Sequence, residues 1–442
     1  MNNQIEIKKK IAPFNKSINV SSDKSLSIRC ILLSSIAAGK SKIFNLLNSE
    51  DVLNTVKAVS KLGIKIIKKK NYLEVYGVGI NGFKINKNTT LDAGNSGTLA
   101  RCILGLCSGS EKKINLVGDK SLSRRDFSRV IEPLKLFGVS IKSNRGSLPL
   151  QMTGSNLLRP ITFIENKGSA QVKTCILLSA LNAPGITKIK CKKSRSHTEL
   201  LLKHLNYPLE IKKNKAYDII NIQGLHQFRS FNYEIPGDIS SASFFIVLTL
   251  LAEKSKLLIK KININPTRTG IIKILKRMNA KISINKKKKY KGELIGDIQI
   301  RSTTNFKSIN CSKSLNSSAI DEFLLIFLVA ARAKGVSKFS GLGELNKKES
   351  PRLNIAIKIL KMMGIKILRK IDDIKIFGNP NLTLNKNYQI KNFFKDHRVF
   401  MMSTIAALTF GGKRWVIEDK DSINTSFPNF IKILNKLGAK IN

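Results

Sequence analysis

Long apolar runs at helical spacing recur along this chain, each closing on small residues or glycine before the in–out alternation of a strand begins. The pattern occurs six times: SLSIRCILLSSIAAGKSKIFN, TLARCILGLCSGSEKKINL, SAQVKTCILLSALNAPGITKIK, SASFFIVLTLLAEKSKLLIK, DEFLLIFLVAARAKGVSKFSG and HRVFMMSTIAALTFGGKRWVI. The helices are predicted to begin near Ser25, Ser96, Ser169, Ser240, Asp321 and Asp396, with successive starts 71, 73, 71, 81 and 75 residues apart. That spacing is too regular for chance and too long for a solenoid repeat. Each unit then carries a second, amphipathic helix ending in a turn and a strand pair, clearest in DVLNTVKAVSKLGIKII, RVIEPLKLFGVSIK, IIKILKRMNAKISI, LNIAIKILKMMGIKIL and FPNFIKILNKLGAKIN. One unit therefore reads βαβαββ. The sixth copy stops at Asn442 after its second helix and one strand, while residues 1–20 hold alternating strands at Ile5, Ile7 and Ile18, Val20. The N-terminal segment is thus expected to complete the last unit. Three units each predict two domains, 21–235 and 236–442 plus 1–20, with the changeover near Tyr233 to Pro236.

At 442 residues and 42% apolar, the chain can fill two cores. It holds no run of eighteen apolar residues, so no membrane span is expected. The N-terminus has no apolar signal core, which places the protein in the cytoplasm by default. The six cysteines, Cys30, Cys102, Cys107, Cys175, Cys191 and Cys311, form no CxxC pair and mostly sit in apolar helical runs, as small hydrophobes do. Neither a disulfide nor a zinc site is expected. The net charge of +49 first suggests nucleic acid. The excess is nearly all lysine, however, scattered from end to end as in Lys68-Lys69-Lys70, Lys192-Lys193 and Lys286 to Lys289. No aromatic residues interleave with these runs. Lysine is abundant together with asparagine and isoleucine, as a drift toward A and T in the gene produces. The charge reads as solvated faces, with no nucleic-acid partner.

Polar residues concentrate at the predicted helix starts: Lys24-Ser25, Asn95-Ser96-Gly97-Thr98, Ser169-Ala170-Gln171, Asp238-Ile239-Ser240-Ser241, Asp321 and Asp396-His397-Arg398. A first helical turn exposes unpaired N–H groups and the positive end of the macrodipole, where anions bind. Any single Ser, Asp or Asn there also reads as a plain cap. Basic side chains beside the caps in several copies favour a polyanionic ligand between the domains.

LDAGNSGTLAR, residues 91–101, resembles the signature of the 5-enolpyruvylshikimate-3-phosphate synthase family. Further stretches resemble that family in its own order: DKSLSIR (23–29), GDKSLSRR (118–125), GSAQVKT (168–174), SRSHTELLL (194–202), PGDISSASFF (236–245), AIDEF (319–323), KESPRL (348–353), DHR (396–398) and INTSFP (423–428). The resemblance implies an α/β fold of two inside-out, barrel-like domains, each of three βαβαββ units, with the active site in the cleft between them. It implies transfer of the enolpyruvyl group of phosphoenolpyruvate to the 5-hydroxyl of shikimate 3-phosphate with release of phosphate, by a monomer without metal or cofactor.

Residue by residue, the resemblance makes Lys24, Gly97, Arg125, Gln171, Arg352 and Arg398 contacts of phosphoenolpyruvate. It makes Lys24, Ser25, Arg29, Ser169, Gln171, Ser194, Asp321 and Lys348 contacts of shikimate 3-phosphate, with Arg195 beside Ser194. Arginine suits such ligands because its planar fork meets carboxylate and phosphate bidentately. At Gly97 a side chain would intrude on a closely approaching ligand. The reaction adds the hydroxyl to C2 of the enol while C3 gains a proton, then expels phosphate as a proton leaves the methyl carbon; an acid–base pair is required. By the same match Asp321 is the base, Glu349 and Lys24 are candidates for the other transfers, and His397 either orients a neighbour or moves a proton. The plain alternatives are a helix cap for Asp321, a solvated surface charge for Glu349 and an ordinary amphipathic helix for Ser25 and Arg29.

The sequence departs from the family pattern at Ser21-Ser22, Asp126, Asn346-Lys347 and Pro351. Ser350-Pro351 still reads as N-cap and first helical residue. A sister enolpyruvyl transferase acting on a UDP-sugar shares the fold but has a reactive cysteine on a loop of its first domain. Here Cys107 ends an apolar helix, and the stretch from Gly118 to Arg125, read as a loop, has none.

Overall fold

A computed structural model of the chain describes residues 3–86 and 88–441. Helices and strands alternate throughout, and the strands form six sheets among the described residues, five of four strands and one of three. One arrangement recurs. Thr89–Asp92 runs parallel to Lys113–Val117, which is antiparallel to Ser147–Thr153, which is antiparallel to Ser140–Asn144. Thr162–Glu165, Ile186–Lys192, Tyr217–Gln223 and Leu209–Lys213 repeat it. So do Asn310–Cys311, Gly335–Phe339, Asp373–Gly378 and Ile367–Lys370. In the sheet of Ala38–Phe44, Tyr72–Val78 and Lys65–Lys68, the parallel edge strand is Asn232–Glu234, taken from far along the chain.

The two N-terminal strands do not both complete the last unit. Gln4–Ile7 pairs antiparallel with Arg414–Glu418, closing the sheet that Asn387–Ile390 begins. Asn15–Ile18 instead lies parallel to Lys256–Asn263, in the sheet that also holds Glu293–Arg301 and Ile282–Tyr290. Strand pairing is decided by which edge is open, and alternation within a strand carries no information about that partner.

The chain divides into two compact units. A first unit holds Ser22–Ile235 together with Lys289–Glu293; a second holds the described residues up to Ser21, Pro236–Lys288 and the described residues from Leu294 onward. The changeover read from the sequence takes no account of Lys289–Glu293, the tip of a hairpin. Each unit has its own apolar core. The long helices at the centres, Ile239–Leu251 and Phe323–Arg332 among them, are buried on nearly every face, which is why their sequences lack a polar stripe. No single helix among the described residues is long and apolar enough to cross a membrane.

A close approach of backbone to backbone accompanies the recurring sheet. At Gly77 on the strand Tyr72–Val78, an added Cβ would lie 2.2 Å from the Ala37 carbonyl oxygen and 2.3 Å from that of Ser34. Gly224 meets the carbonyls of Ala183 and Ala180 at 1.7 and 2.5 Å, and Gly378 those of Ala333 and Ala330 at 2.1 and 2.5 Å. In each case the carbonyls belong to the turn that ends the preceding buried helix. A strand can lie against that helix end only where it has no side chain.

Candidate active site

In the first unit, the helix Gly97–Leu106 starts at a capped turn in which Ser96 Oγ accepts from Leu99 N at 3.2 Å. An added Cβ on Gly97 would lie 2.8 Å from Arg101 Nη1 and 2.9 Å from Arg125 Nη1, so two guanidinium groups face this helix start. Arg125 Nη2 donates to Asn95 Oδ1 at 2.9 Å. Arg101 Nη1 donates to Gln171 Oε1 at 2.9 Å, and Gln171 Nε2 donates to Thr98 Oγ1 at 3.0 Å. Burial, reinforced by the neighbouring Arg125 and Arg129 charges, lowers Arg101 to about 10. Gly97, Arg125 and Gln171 are thus brought together, as a grouping that prefers an anion. Arg101 was not singled out from the sequence, although it lies within the quoted signature. The available signal was its position four residues after Gly97, on the same helix face.

The helix Lys24–Ser35 is capped by Asp23, whose Oδ1 accepts from Leu26 N at 2.9 Å; Ser25 is not the cap. Lys24 Nζ stands 2.9 Å from Asp51 Oδ2. Arg29 lies deeper, at 3% exposure, and burial lowers its pKa. Its Nε donates to Thr198 Oγ1 at 2.8 Å, Nη2 to Thr174 Oγ1 at 3.0 Å and Nη1 to the Ser25 carbonyl at 3.1 Å. These three bonds use three of a guanidinium's five N–H groups, and the ordinary amphipathic-helix reading does not account for such a buried cation. Ser169 does cap its helix, accepting from Val172 N at 3.3 Å. Ser194 Oγ is buried and takes no hydrogen bond among the described residues. The stretch read as a loop from Gly118 to Arg125 contains a short helix, Lys120–Ser123, capped by Asp119. Cys107 is buried, and burial pushes its thiol up, away from the reactive thiolate.

The second unit gathers the remaining residues around Asp321. Arg352 Nη1 donates to Asp321 Oδ1 at 3.2 Å, with Lys348 Nζ 3.8 Å from the same oxygen and Arg398 Nη2 3.9 Å from Oδ2. Asp321 is not a helix cap. It sits in the break between Asn316–Ala319 and Phe323–Arg332, and Glu322 occupies the position before the second helix. Glu349 is no solvated surface charge either, since its carboxylate pairs with Arg352 Nη2.

Arg352 itself is 1% exposed and begins the helix Arg352–Met362. Pro351, rather than Ser350, stands at the cap position, and Ser350 Oγ donates to Asp396 Oδ2 at 2.8 Å instead. Asp396, fully buried, also accepts from Arg352 Nε at 2.8 Å and, through Oδ1, from Arg398 N at 2.9 Å. One carboxylate thereby holds both arginines. Burial works against the Arg352 charge, but Asp396, Glu349 and Asp321 outweigh it and raise its pKa above the usual guanidinium value. For Asp396 burial likewise opposes the charge, and Arg352 prevails, holding the carboxyl below its ordinary range. His397, 4% exposed, has Nδ1 3.4 Å from Thr425 Oγ1.

Comparison with known proteins agrees over nearly the whole length. A family model described as EPSP synthase (3-phosphoshikimate 1-carboxyvinyltransferase) matches residues 8–434. The 3-phosphoshikimate 1-carboxyvinyltransferase of Ruthia magnifica subsp. Calyptogena magnifica is 40% identical over 432 residues, covering 96% of each chain. That of Zymomonas mobilis subsp. mobilis is 35% identical, over 98% of this chain and 96% of its own. The solved structure of an EPSP synthase from Acinetobacter baumannii superposes with a TM-score of 0.86 at 33% identity, covering 99% of both chains. An enolpyruvyl transferase from Streptomyces tendae, at 14% identity and a TM-score of 0.75, shares the fold. With both clusters of basic residues carried on an α/β frame of this kind, the chain belongs to the EPSP synthase family.

Proposed function

We propose that the two clusters described above carry out this family's reaction in the following way. The enzyme transfers the enolpyruvyl group of phosphoenolpyruvate to the 5-hydroxyl of shikimate 3-phosphate and releases phosphate. Both substrates carry a phosphate and a carboxylate, so the site must supply several fixed cations. Arg125, Arg352 and Arg398, with Lys24, Gln171 and the backbone at Gly97, take phosphoenolpyruvate. Ser25, Arg29, Ser169, Ser194, Lys348 and Asp321, again with Lys24 and Gln171, take shikimate 3-phosphate. The buried hydroxyl of Ser194 supports this role, since such a group is normally satisfied and a substrate oxygen would satisfy it.

In the addition step the C5 oxygen bonds to C2 of the enol, its proton passes to Asp321, and C3 gains a proton to become a methyl group. In the elimination step the bond from C2 to the phosphate oxygen breaks, phosphate leaves, and the methyl carbon returns a proton. Glu349 serves the carbon and Lys24 the bridging oxygen. The observation that carries this reading is the meeting of Lys348, Arg352 and Arg398 on the single carboxylate of Asp321. A base so placed sits among the charges that hold its substrates.

The finer architecture follows the same reading: two inside-out, barrel-like domains, each of three βαβαββ units, in a cytoplasmic monomer with no nucleic-acid partner. The recurring strand order and the glycine contacts support the repeats. Purified protein should release phosphate only when both substrates are present, and a folded sample that releases none would refute the proposed activity. Arg125→Ala and Arg398→Ala should each weaken phosphoenolpyruvate about ten- to a hundredfold, and shikimate 3-phosphate far less.

A further inference from the structure

Three buried charged groups of the second unit have no part in the scheme above: Asp238, Arg268 and Glu322, at 7%, 2% and 1% exposure. They lie in one chain of contacts. Arg268 Nη2 donates to Asp238 Oδ1 at 3.0 Å and to Ser240 Oγ at 2.7 Å. Ser240 Oγ donates to Glu322 Oε1 at 2.5 Å. That same Oε1 lies 3.9 Å from Arg398 Nη1, which also donates to the backbone carbonyl of Asp321, the preceding residue, at 3.0 Å.

The order of donors along this chain is fixed. A guanidinium only donates, so Ser240 must accept from Arg268, and its single hydroxyl proton is then committed to Glu322. Glu322 is therefore held from one side as a hydrogen-bond acceptor and presents the same oxygen to Arg398 on the other. Capping does not explain it. Glu322 stands immediately before the helix Phe323–Arg332, yet its side chain makes no cap hydrogen bond. A carboxylate at this depth is costly unless paired with positive charge.

We propose that Glu322 is a positioning residue for Arg398, held in place by Ser240 and Arg268, and that it sets the guanidinium in the orientation that receives phosphoenolpyruvate. The inference rests on the assignment of Arg398 to that substrate. Glu322 touches neither substrate in this scheme; it acts through Arg398.

The test is a double-mutant cycle in steady-state kinetics with each substrate varied. Glu322→Gln keeps the shape and the acceptor for Ser240 while removing the charge. It should lower kcat/KM for phosphoenolpyruvate about tenfold and leave the KM for shikimate 3-phosphate within about twofold. In an Arg398→Ala background the same substitution should cost nothing further, because the partner through which it acts is gone. Should Glu322→Gln fold poorly, Ser240→Ala serves in its place, with the same selectivity and about a threefold effect. Equal losses for both substrates, additive effects in the double variant, or no effect in a folded protein would each overturn the proposal. If Arg398→Ala leaves phosphoenolpyruvate kinetics untouched, the Arg398 assignment is what has failed, and the inference falls with it.

Discussion

Replacing Asp321 by asparagine separates charge from shape at the point where the cations meet. The carboxylate oxygens lie 3.2 Å from Arg352, 3.8 Å from Lys348 and 3.9 Å from Arg398. At an effective dielectric near 20, each contact corresponds to about 4–5 kcal/mol of gross Coulomb attraction, most of it offset by desolvation. Neutralising Asp321 leaves those three cations facing one less negative charge, so the field felt by an anionic substrate becomes more attractive. Phosphoenolpyruvate should therefore bind as tightly as before or more tightly. Folding should survive: asparagine keeps an acceptor for Arg352, which also retains Asp396 and Glu349, and the loss should be about 1–2 kcal/mol. Turnover should nonetheless fall on the order of a hundredfold or more, the scale of a positioned base. Initial rates of phosphate release at saturating substrates, paired with calorimetric titration and a thermal melt, measure all three quantities. A well-folded Asp321→Asn protein with turnover within about tenfold of the parent would remove Asp321 from proton transfer. The capping alternative no longer competes, since Asp321 does not occupy the cap.

Other substitutions probe the frame around that centre. Gly97→Ala places a methyl group against the ends of two flexible arginines, so the melting temperature should hardly change while the KM for phosphoenolpyruvate rises about tenfold; a large loss of stability would contradict this. Lys173→Ala strands Glu199, 2.6 Å away and 2% exposed, and should cost about 3–5 kcal/mol in urea unfolding. Asp396 has its folded pKa below the unfolded value of about 3.9, so its stabilisation is present above that value and lost as pH falls through the folded pKa. Asp396→Asn should lower stability at neutral pH by about 3 kcal/mol and flatten the acid limb of the stability profile, as measured by urea midpoints from pH 2 to 7.

What could be read from the sequence follows from the range of the forces involved. Helix starts at Ser96, Ser169 and Asp396 are local, set by a cap and the apolar period behind it, and they lie where the pattern puts them. At Asp321 and at Ser350-Pro351 the local signal pointed one or two residues early. There the acidic and hydroxyl side chains bond to charged residues distant in sequence instead of capping, and tertiary contact overrode the local preference. The fates of the two N-terminal strands and the buried threonine cradle of Arg29 depend on partners some 150 to 400 residues away. Periodicity cannot encode such pairings. The links that join Arg268, Ser240 and Glu322 to Arg398 were hidden for the same reason, although Arg398 itself stands out in the sequence.

Contacts of backbone against backbone leave no side chain that could repack around a change. At Gly77, Gly224 and Gly378 the strand rests on the carbonyls that end a buried helix, and the tolerated alphabet has one letter. Glycine codons begin with two guanines, so a nucleotide drift that fills exposed faces with lysine, asparagine and isoleucine works directly against them. Sites that resist such a drift act as fixed points. They mark where the gene has least freedom to change.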